Sequence, residues 1–168
     1  MKLETRAFAW LRFEKRCPIV LWERTPRPCG IPDVLGITKD RYLVEIEIKR
    51  TVGDFRANAE KWHVRTRNLH LPKWPRLFWF AVPRKLVEKV SAELPEYAGL
   101  LTADELDAGF LEVVKRPTAN TQSRRLSIKE SIRCVELQSN QLWAMIKRDA
   151  PEADLGSIET KPMAEVQS

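Results

Sequence analysis

The chain has 168 residues, 43% of them hydrophobic and only six of them glycine, with 29 Lys+Arg against 23 Asp+Glu for a net charge of +6. That length buries the core of one domain, and the composition excludes a fibrous chain or one disordered throughout. The longest apolar runs, such as Leu77 to Val82, are far too short to cross a bilayer, so no membrane is expected.

Leu3, Ala7, Phe8 and Leu11 recur at helical spacing, which predicts a first helix from Leu3 to Arg16, stopped by Pro18. Ile19 to Trp22 reads as a short strand. The Pro- and Gly-rich stretch from Thr25 to Gly30 is a break, and Ile31 to Ile37 a second strand. Thr38 to Arg41 is then a hairpin turn into the clearest strand, Tyr42 to Lys49. Asp54 is expected to cap a helix running to about Asn68. Leu77 to Val82 is apolar throughout, as a strand in mid-sheet is, and Pro83 opens a helix from Arg84 to Leu94. Short strands follow at Gly99 to Leu101 and Phe110 to Val114, and a last helix spans Ser127 to Arg148. The order is α-β-β-β-α-β-α with a β-β-α end: an α/β (α+β) fold on a mixed central sheet flanked by helices.

Charge is unevenly placed. Residues 149–168 carry a balance of −4, with Pro151, Gly156 and Pro162 among them, and are expected to be a disordered acidic tail. The domain, residues 1–148, therefore holds +10, which suggests a polyanionic partner, most often nucleic acid. No secretory leader is read, because Glu4, Arg6, Arg12 and Glu14 interrupt any apolar start. Cys17, Cys29 and Cys134 are odd in number and far apart, arguing for a reducing, cytoplasmic setting; His63 and His70 lack zinc-ligand spacing. Trp10, Trp22, Trp62 and Trp79 fall in apolar or amphipathic stretches and are expected in the core, while Trp74 lies in a loop.

The chemistry is concentrated on two strands. Side chains alternate along a strand, so Glu47 and Lys49 point one way while Ile48 points into the core. Hairpin pairing brings Asp33 near Glu47, so that two carboxylates and an ammonium share one patch. Hard anionic oxygens suit Mg²⁺, which eases deprotonation of a water, while Lys49 stabilises charge developing on a phosphate. That equipment hydrolyses a phosphodiester. The run Glu45-Ile46-Glu47-Ile48-Lys49 also fits an ordinary amphipathic edge strand with a solvated salt-bridge face. Arg56, Arg65 and Arg67 project from the helix after Asp54, where they are placed to meet phosphates.

Pro32-Asp33, Glu47-Ile48-Lys49 and the flanking elements resemble the PD-(D/E)XK nuclease superfamily. Val44 to Lys49, Val52 to Asn58, Lys61-Trp62, Phe80 to Pro83 and Ala98 to Leu101 are similar to the MmcB-like bacterial DNA-repair proteins. The resemblance spans roughly residues 10–148. It implies a restriction-endonuclease-like αβββαβ core and a Mg²⁺-dependent deoxyribonuclease, Mn²⁺ being a substitute, that acts in DNA repair or recombination. The alternative it leaves is a non-catalytic DNA-binding adaptor of the same fold. Asp33 and Glu47 would be metal ligands, with Lys49 completing the catalytic set. Many superfamily members add a glutamate from the first helix: Glu4 is the first choice, with Glu14 and Glu23 as substitutes. Glu45 reads as an accessory or salt-bridged residue, and Lys61 as one facing the site. DNA and proteins of a repair complex are the expected partners, and cutting two strands with one site per chain would favour a homodimer.

Overall fold

The computed structural model describes residues 2–25, 31–57, 74–103 and 109–149. Helix α1 (Leu3–Ala9) runs into a π-helical turn, Trp10–Glu14. The turn widens because the Lys15 N–H donates to the carbonyl of Trp10, five residues back, at 3.0 Å. With Pro18 close behind, the helix ends two residues short of the predicted Arg16.

Six strands form one sheet in chain order: β1 (Ile19–Trp22), β2 (Val34–Ile37), β3 (Leu43–Ile48), β4 (Leu77–Pro83), β5 (Gly99–Ala103) and β6 (Glu112–Lys115). β1, β2 and β3 are antiparallel neighbours, β3, β4 and β5 are parallel, and β6 returns antiparallel to β5. Parallel neighbours need a crossover. After β3 it begins with α2 (Val52–Ala57); after β4 it is a 3₁₀ turn, Arg84–Leu86, leading into α3 (Val87–Glu93). The mixed sheet and element order agree with the sequence reading.

Several boundaries differ from it. β2 begins at Val34, leaving Ile31 to Asp33 outside the ladder. β6 runs from Glu112 to Lys115, where Phe110 to Val114 was expected. The cap of α2 is Thr51: its hydroxyl accepts the Asp54 N–H at 3.0 Å, which puts Asp54 in the first turn. The predicted continuation of this helix to Asn68 lies outside the described residues, as do Cys29, Trp62, His63, His70 and the chain beyond residue 149.

The last helix, α4 (Ile128–Asp149), starts at a reciprocal cap. The Glu130 N–H donates to Ser127 Oγ at 3.2 Å, and the Ser127 N–H to Glu130 Oε2 at 2.7 Å. This helix packs along β1, the edge strand. Gln138 Nε2 donates to the Val20 carbonyl at 3.2 Å, and Gln141 donates to that of Trp22. Two side-chain amides thereby cover carbonyls that an open edge would expose. Among the described residues no helix is long and apolar enough to cross a membrane.

From β1 to β5 the sheet is buried on both faces, whereas β6 is exposed. Ala7, Trp10 and Leu11 pack against Val34, Val44, Ile46 and Trp79 on one side. On the other, Phe55 and Val90 cover Phe78, Phe80 and Leu100, while Leu126 and Cys134 cover Leu21, Leu35 and Leu43. β3, between β2 and β4, is therefore an interior strand, which overturns the edge-strand reading of its charged run. Trp10 and Trp79 are core residues as expected, in edge-to-face contact at 5.2 Å. Cys17 and Cys134 are buried; burial pushes the Cys17 thiol up to about 11 despite the opposing pull of Lys15 and Arg12.

Gly36 is the point where the π-helical turn and the residues after it meet the sheet. A Cβ there would stand 2.9 Å from Cys17 Sγ and 3.0 Å from Leu11 Cδ2. Gly36→Ala is expected to destabilise the fold by about 1–3 kcal/mol, as overpacking does. Urea denaturation reads this directly, and adding Cys17→Ala should restore part of the loss. An unchanged midpoint for the single variant would mean that Leu11 and Cys17 do not sit at these distances.

Candidate active site

The centre of the site is the end of β3. Val34 of β2 pairs with Ile46, so Asp33, one step beyond the ladder, stands beside Glu47. β2 has no further backbone to offer the Ile48 N–H, and Asp33 supplies the acceptor: its Oδ2 takes that hydrogen bond at 2.7 Å. The next amide, Lys49 N–H, turns to the other neighbour and donates to the Ala81 carbonyl at 3.0 Å. Asp33 is half-buried and held in place, not a solvent-facing residue.

Glu47 and Lys49 lie on the face of β3 opposite Ile48. Lys49 Nζ donates to Glu47 Oε2 at 3.2 Å, and Lys49 is only 5% exposed. A lysine this deep needs an anionic partner, since an unpaired buried charge is strongly disfavoured. Glu45 is deeper still along the strand, 4% exposed, in register with Leu35 and Phe78. It is an interior residue of the sheet and does not reach the cleft described next.

Beside the strand end opens a cleft of about 540 Å³. It lies between the start of α1, the end of β1, the first turn of α2 and the last turns of α4. Glu4, Glu23, Asp33 and Asp54 bring carboxylates to it, Arg50 and Arg148 bring guanidinium groups, and Phe8, Trp22, Leu142 and Met145 bring apolar surface. Of the glutamates considered for a third ligand, Glu4 and Glu23 line the cleft and Glu14 does not. Ile48 lines it too, whereas Glu47 and Lys49 turn to the opposite face of β3 and are not part of its lining. Among the described residues no three Asp, Glu, His or Cys side chains form a ready metal cage.

Glu4 is ion-paired with Arg50 across the mouth. Burial pushes its carboxyl up, but a hydrogen bond from its own backbone N–H and the Arg50 guanidinium outweigh this and hold it below its ordinary value. Its second oxygen, Oε2, is buried without a hydrogen-bond partner among the described residues. Glu23 has φ 49°, the left-handed region that costs a non-glycine residue on the order of 1–3 kcal/mol. Its N–H donates to the Asp33 carbonyl at 3.1 Å, so the strained residue and the candidate ligand are fastened together.

Arg56, expected to meet phosphate, is engaged by Glu93: Nε donates to Oε2 at 2.8 Å and to Oε1 at 3.1 Å. It ties α2 to α3 and does not line the cleft. Lys61, Arg65 and Arg67 lie outside the described residues. The sequence reading missed Trp22, Arg50 and Arg148 as cleft residues. Arg50 directly follows the charged triplet and was findable on that ground. Trp22 was assigned to the core but is half-exposed at a strand end, and Arg148 reaches the cleft only through the docking of α4.

A scan against protein-family models and a search of curated proteins each gave no match. Among solved structures the chain is similar to a protein of unknown function from Silicibacter pomeroyi. That likeness has 23% identity and a TM-score of 0.59, over 95% of this chain and 99% of the other. At that identity it speaks for the fold alone.

The Glu4–Arg50 pair has a definite pH signature. Because the folded-state carboxyl is held below its ordinary value, the pair contributes stability above the unfolded carboxyl's range and loses it as pH falls through the lowered value. Both side chains are largely solvated, so Arg50→Gln should cost under about 1 kcal/mol at pH 7. The difference from the parent chain should vanish in acid. Chemical denaturation at several pH values measures it, and a penalty that persists in acid would mean that Arg50 acts through packing instead.

Proposed function

We propose that the chain is a divalent-metal-dependent deoxyribonuclease that hydrolyses phosphodiester bonds at the end of β3, in DNA repair or recombination. The observation that carries this reading is the meeting of Asp33 with Glu47-Ile48-Lys49 at one strand end beside an open cleft. The burial of Lys49 supports it, because a solvated salt-bridge face would not place an ammonium inside the sheet. The α-β-β-β-α-β order is also the one that the resemblance to PD-(D/E)XK nucleases implies.

The residues present fit a hard divalent cation. Mg²⁺ takes one or two carboxylates, keeps several waters and bridges to phosphate, so a three-carboxylate cage is not required. Asp33 and Glu47 would hold it, and Oε2 of Glu4, which has no hydrogen-bond partner among the described residues, is an anionic oxygen in the cleft that Asp33 lines. When bound, Mg²⁺, or Mn²⁺ in its place, would offset phosphate charge and make a water easier to deprotonate.

The chain's own groups do the positioning. The Ile48 N–H fixes the Asp33 carboxylate, and Lys49 fixes Glu47 by donating to Oε2. Lys49 also brings positive charge beside the place where negative charge builds on the phosphate. The basic body draws in the polyanion.

The second reading is a DNA-binding adaptor of nuclease fold. What favours it is the basic body, which draws a polyanion with or without a metal. Its signature is DNA affinity that falls steeply with salt and needs no metal.

Asp33→Asn separates the two. Asparagine keeps an acceptor for the Ile48 N–H and removes the charge, so the fold should survive. Loss of a metal ligand is worth several kcal/mol of transition-state stabilisation, which predicts that cutting of DNA in Mg²⁺ falls about a hundredfold or more. Glu47→Ala should behave alike. Full cutting by Asp33→Asn would remove Asp33 from the machinery, and no metal-dependent cutting by the parent chain would favour the adaptor.

A further inference from the structure

The lining of the cleft that holds Asp33 is of two kinds. Glu4, Glu23, Asp33 and Asp54 bring carboxylates, whereas Phe8, Trp22, Leu142 and Met145 bring apolar surface. Phe8 and Trp22 meet edge to face, with ring centres 5.7 Å apart and planes at 67°, which sets the tilt of the indole. Gln141 donates to the Trp22 carbonyl, so the backbone beneath the ring is tied to α4. Trp22 nevertheless remains half-exposed, and Leu142 and Met145 are 49% and 41% exposed. Arg50 and Arg148 add positive charge to the same opening.

We propose that this apolar surface seats one unpaired nucleobase of the strand being cut, so that the substrate is single-stranded or locally unpaired DNA and not intact duplex. The proposal rests on the nuclease reading of this site. Charge sorts the two parts of a nucleotide: the phosphate belongs beside a cation and the guanidinium groups, and the neutral base beside the rings. A cleft of about 540 Å³ is in the range that accepts one group of nucleotide size. A base within a duplex has both faces stacked and reaches Trp22 only after being turned out, which costs unpairing and unstacking. An unpaired base meets no such cost. Aromatic stacking tolerates any base, so the apolar surface reads strandedness and not sequence.

The test uses the full chain with Ca²⁺ in place of Mg²⁺, so that a hard cation offsets the carboxylates of the cleft while its looser coordination slows cutting. The probes are a labelled 12-mer of thymidine, with one 2-aminopurine, and the matched duplex, followed by anisotropy. The single strand should bind at least about tenfold more tightly than the duplex, and Trp22→Ala should weaken single-strand binding by about tenfold. Trp22→Phe should keep most of the affinity, which guards against a merely unfolded variant. The 2-aminopurine fluorescence should be quenched by the parent chain and not by Trp22→Ala. Equal or tighter duplex binding, single-strand binding indifferent to Trp22, or no binding of either probe would overturn the proposal. Its failure is distinct from failure of the nuclease reading. Metal-dependent cutting of duplex without a Trp22 effect leaves the nuclease and removes the base seat. Trp22-dependent single-strand binding without cutting does the reverse.

Discussion

One hydrogen bond, from the Ile48 N–H to the Asp33 carboxylate, ties the start of β2 to the end of β3. It exists because β2 and β3 stop out of step. The ladder closes at Val34 and Ile46, and the next inward-facing amide of β3 has no backbone carbonyl to meet. A buried amide must find an acceptor, and the aspartate at the bend just before β2 is the group within reach. The same bond places a carboxylate beside Glu47, next to the cleft between α1, β1 and α4. Satisfying the backbone and assembling the candidate site are thus one event.

The second constraint is that β3 is an interior strand. Strands flank it on both sides and side chains cover both faces, so every charged residue on it is placed at a cost. Glu45 and Lys49 are almost wholly buried, and the Lys49 ammonium is held by Glu47. Apolar residues of similar size would serve the fold at least as well in such positions. Retaining an acid-acid-base run there is therefore hard to account for by stability alone. Glu23, with its strained φ, and Glu4, whose Oε2 has no hydrogen-bond partner among the described residues, line the same cleft. Features that weaken a fold have gathered at one end of the sheet.

Much of the architecture was legible in the sequence because its signals are local. Pro18 and Pro83 mark a helix stop and start, the apolar run at Leu77 to Val82 marks an inner strand, and the Ser127 to Glu130 spacing fits a helix cap. The start of α2 was misplaced by three residues because Thr51 and Asp54 are both good caps, and only the direction of the hydrogen bond distinguishes them. The beginning of β2 was extended to Ile31 because Asp33, next to a strand-like neighbour, looks paired when its partner has already ended. Within the site, Asp33, Glu47 and Lys49 were readable from alternation and hairpin distance. Arg148, Met145 and Trp22 were not, since they reach the cleft only when α4 docks along the edge of β1, and no local pattern encodes that docking. Arg56 was misjudged for a related reason: its salt-bridge partner, Glu93, lies on another helix.

The central claim is that Asp33 and Glu47 hold one divalent cation at the end of β3. Backbone amide NMR spectra recorded during titration with Mn²⁺ test it most directly, because the ion broadens signals from nearby residues whether or not any substrate is cut. The account predicts that substoichiometric Mn²⁺ erases the amides around Asp33 and of Glu47, Ile48 and Lys49 first, that Mg²⁺ competes, and that Asp33→Asn abolishes the effect while the rest of the spectrum stays unchanged. Broadening centred elsewhere, or equal broadening in Asp33→Asn, would contradict it.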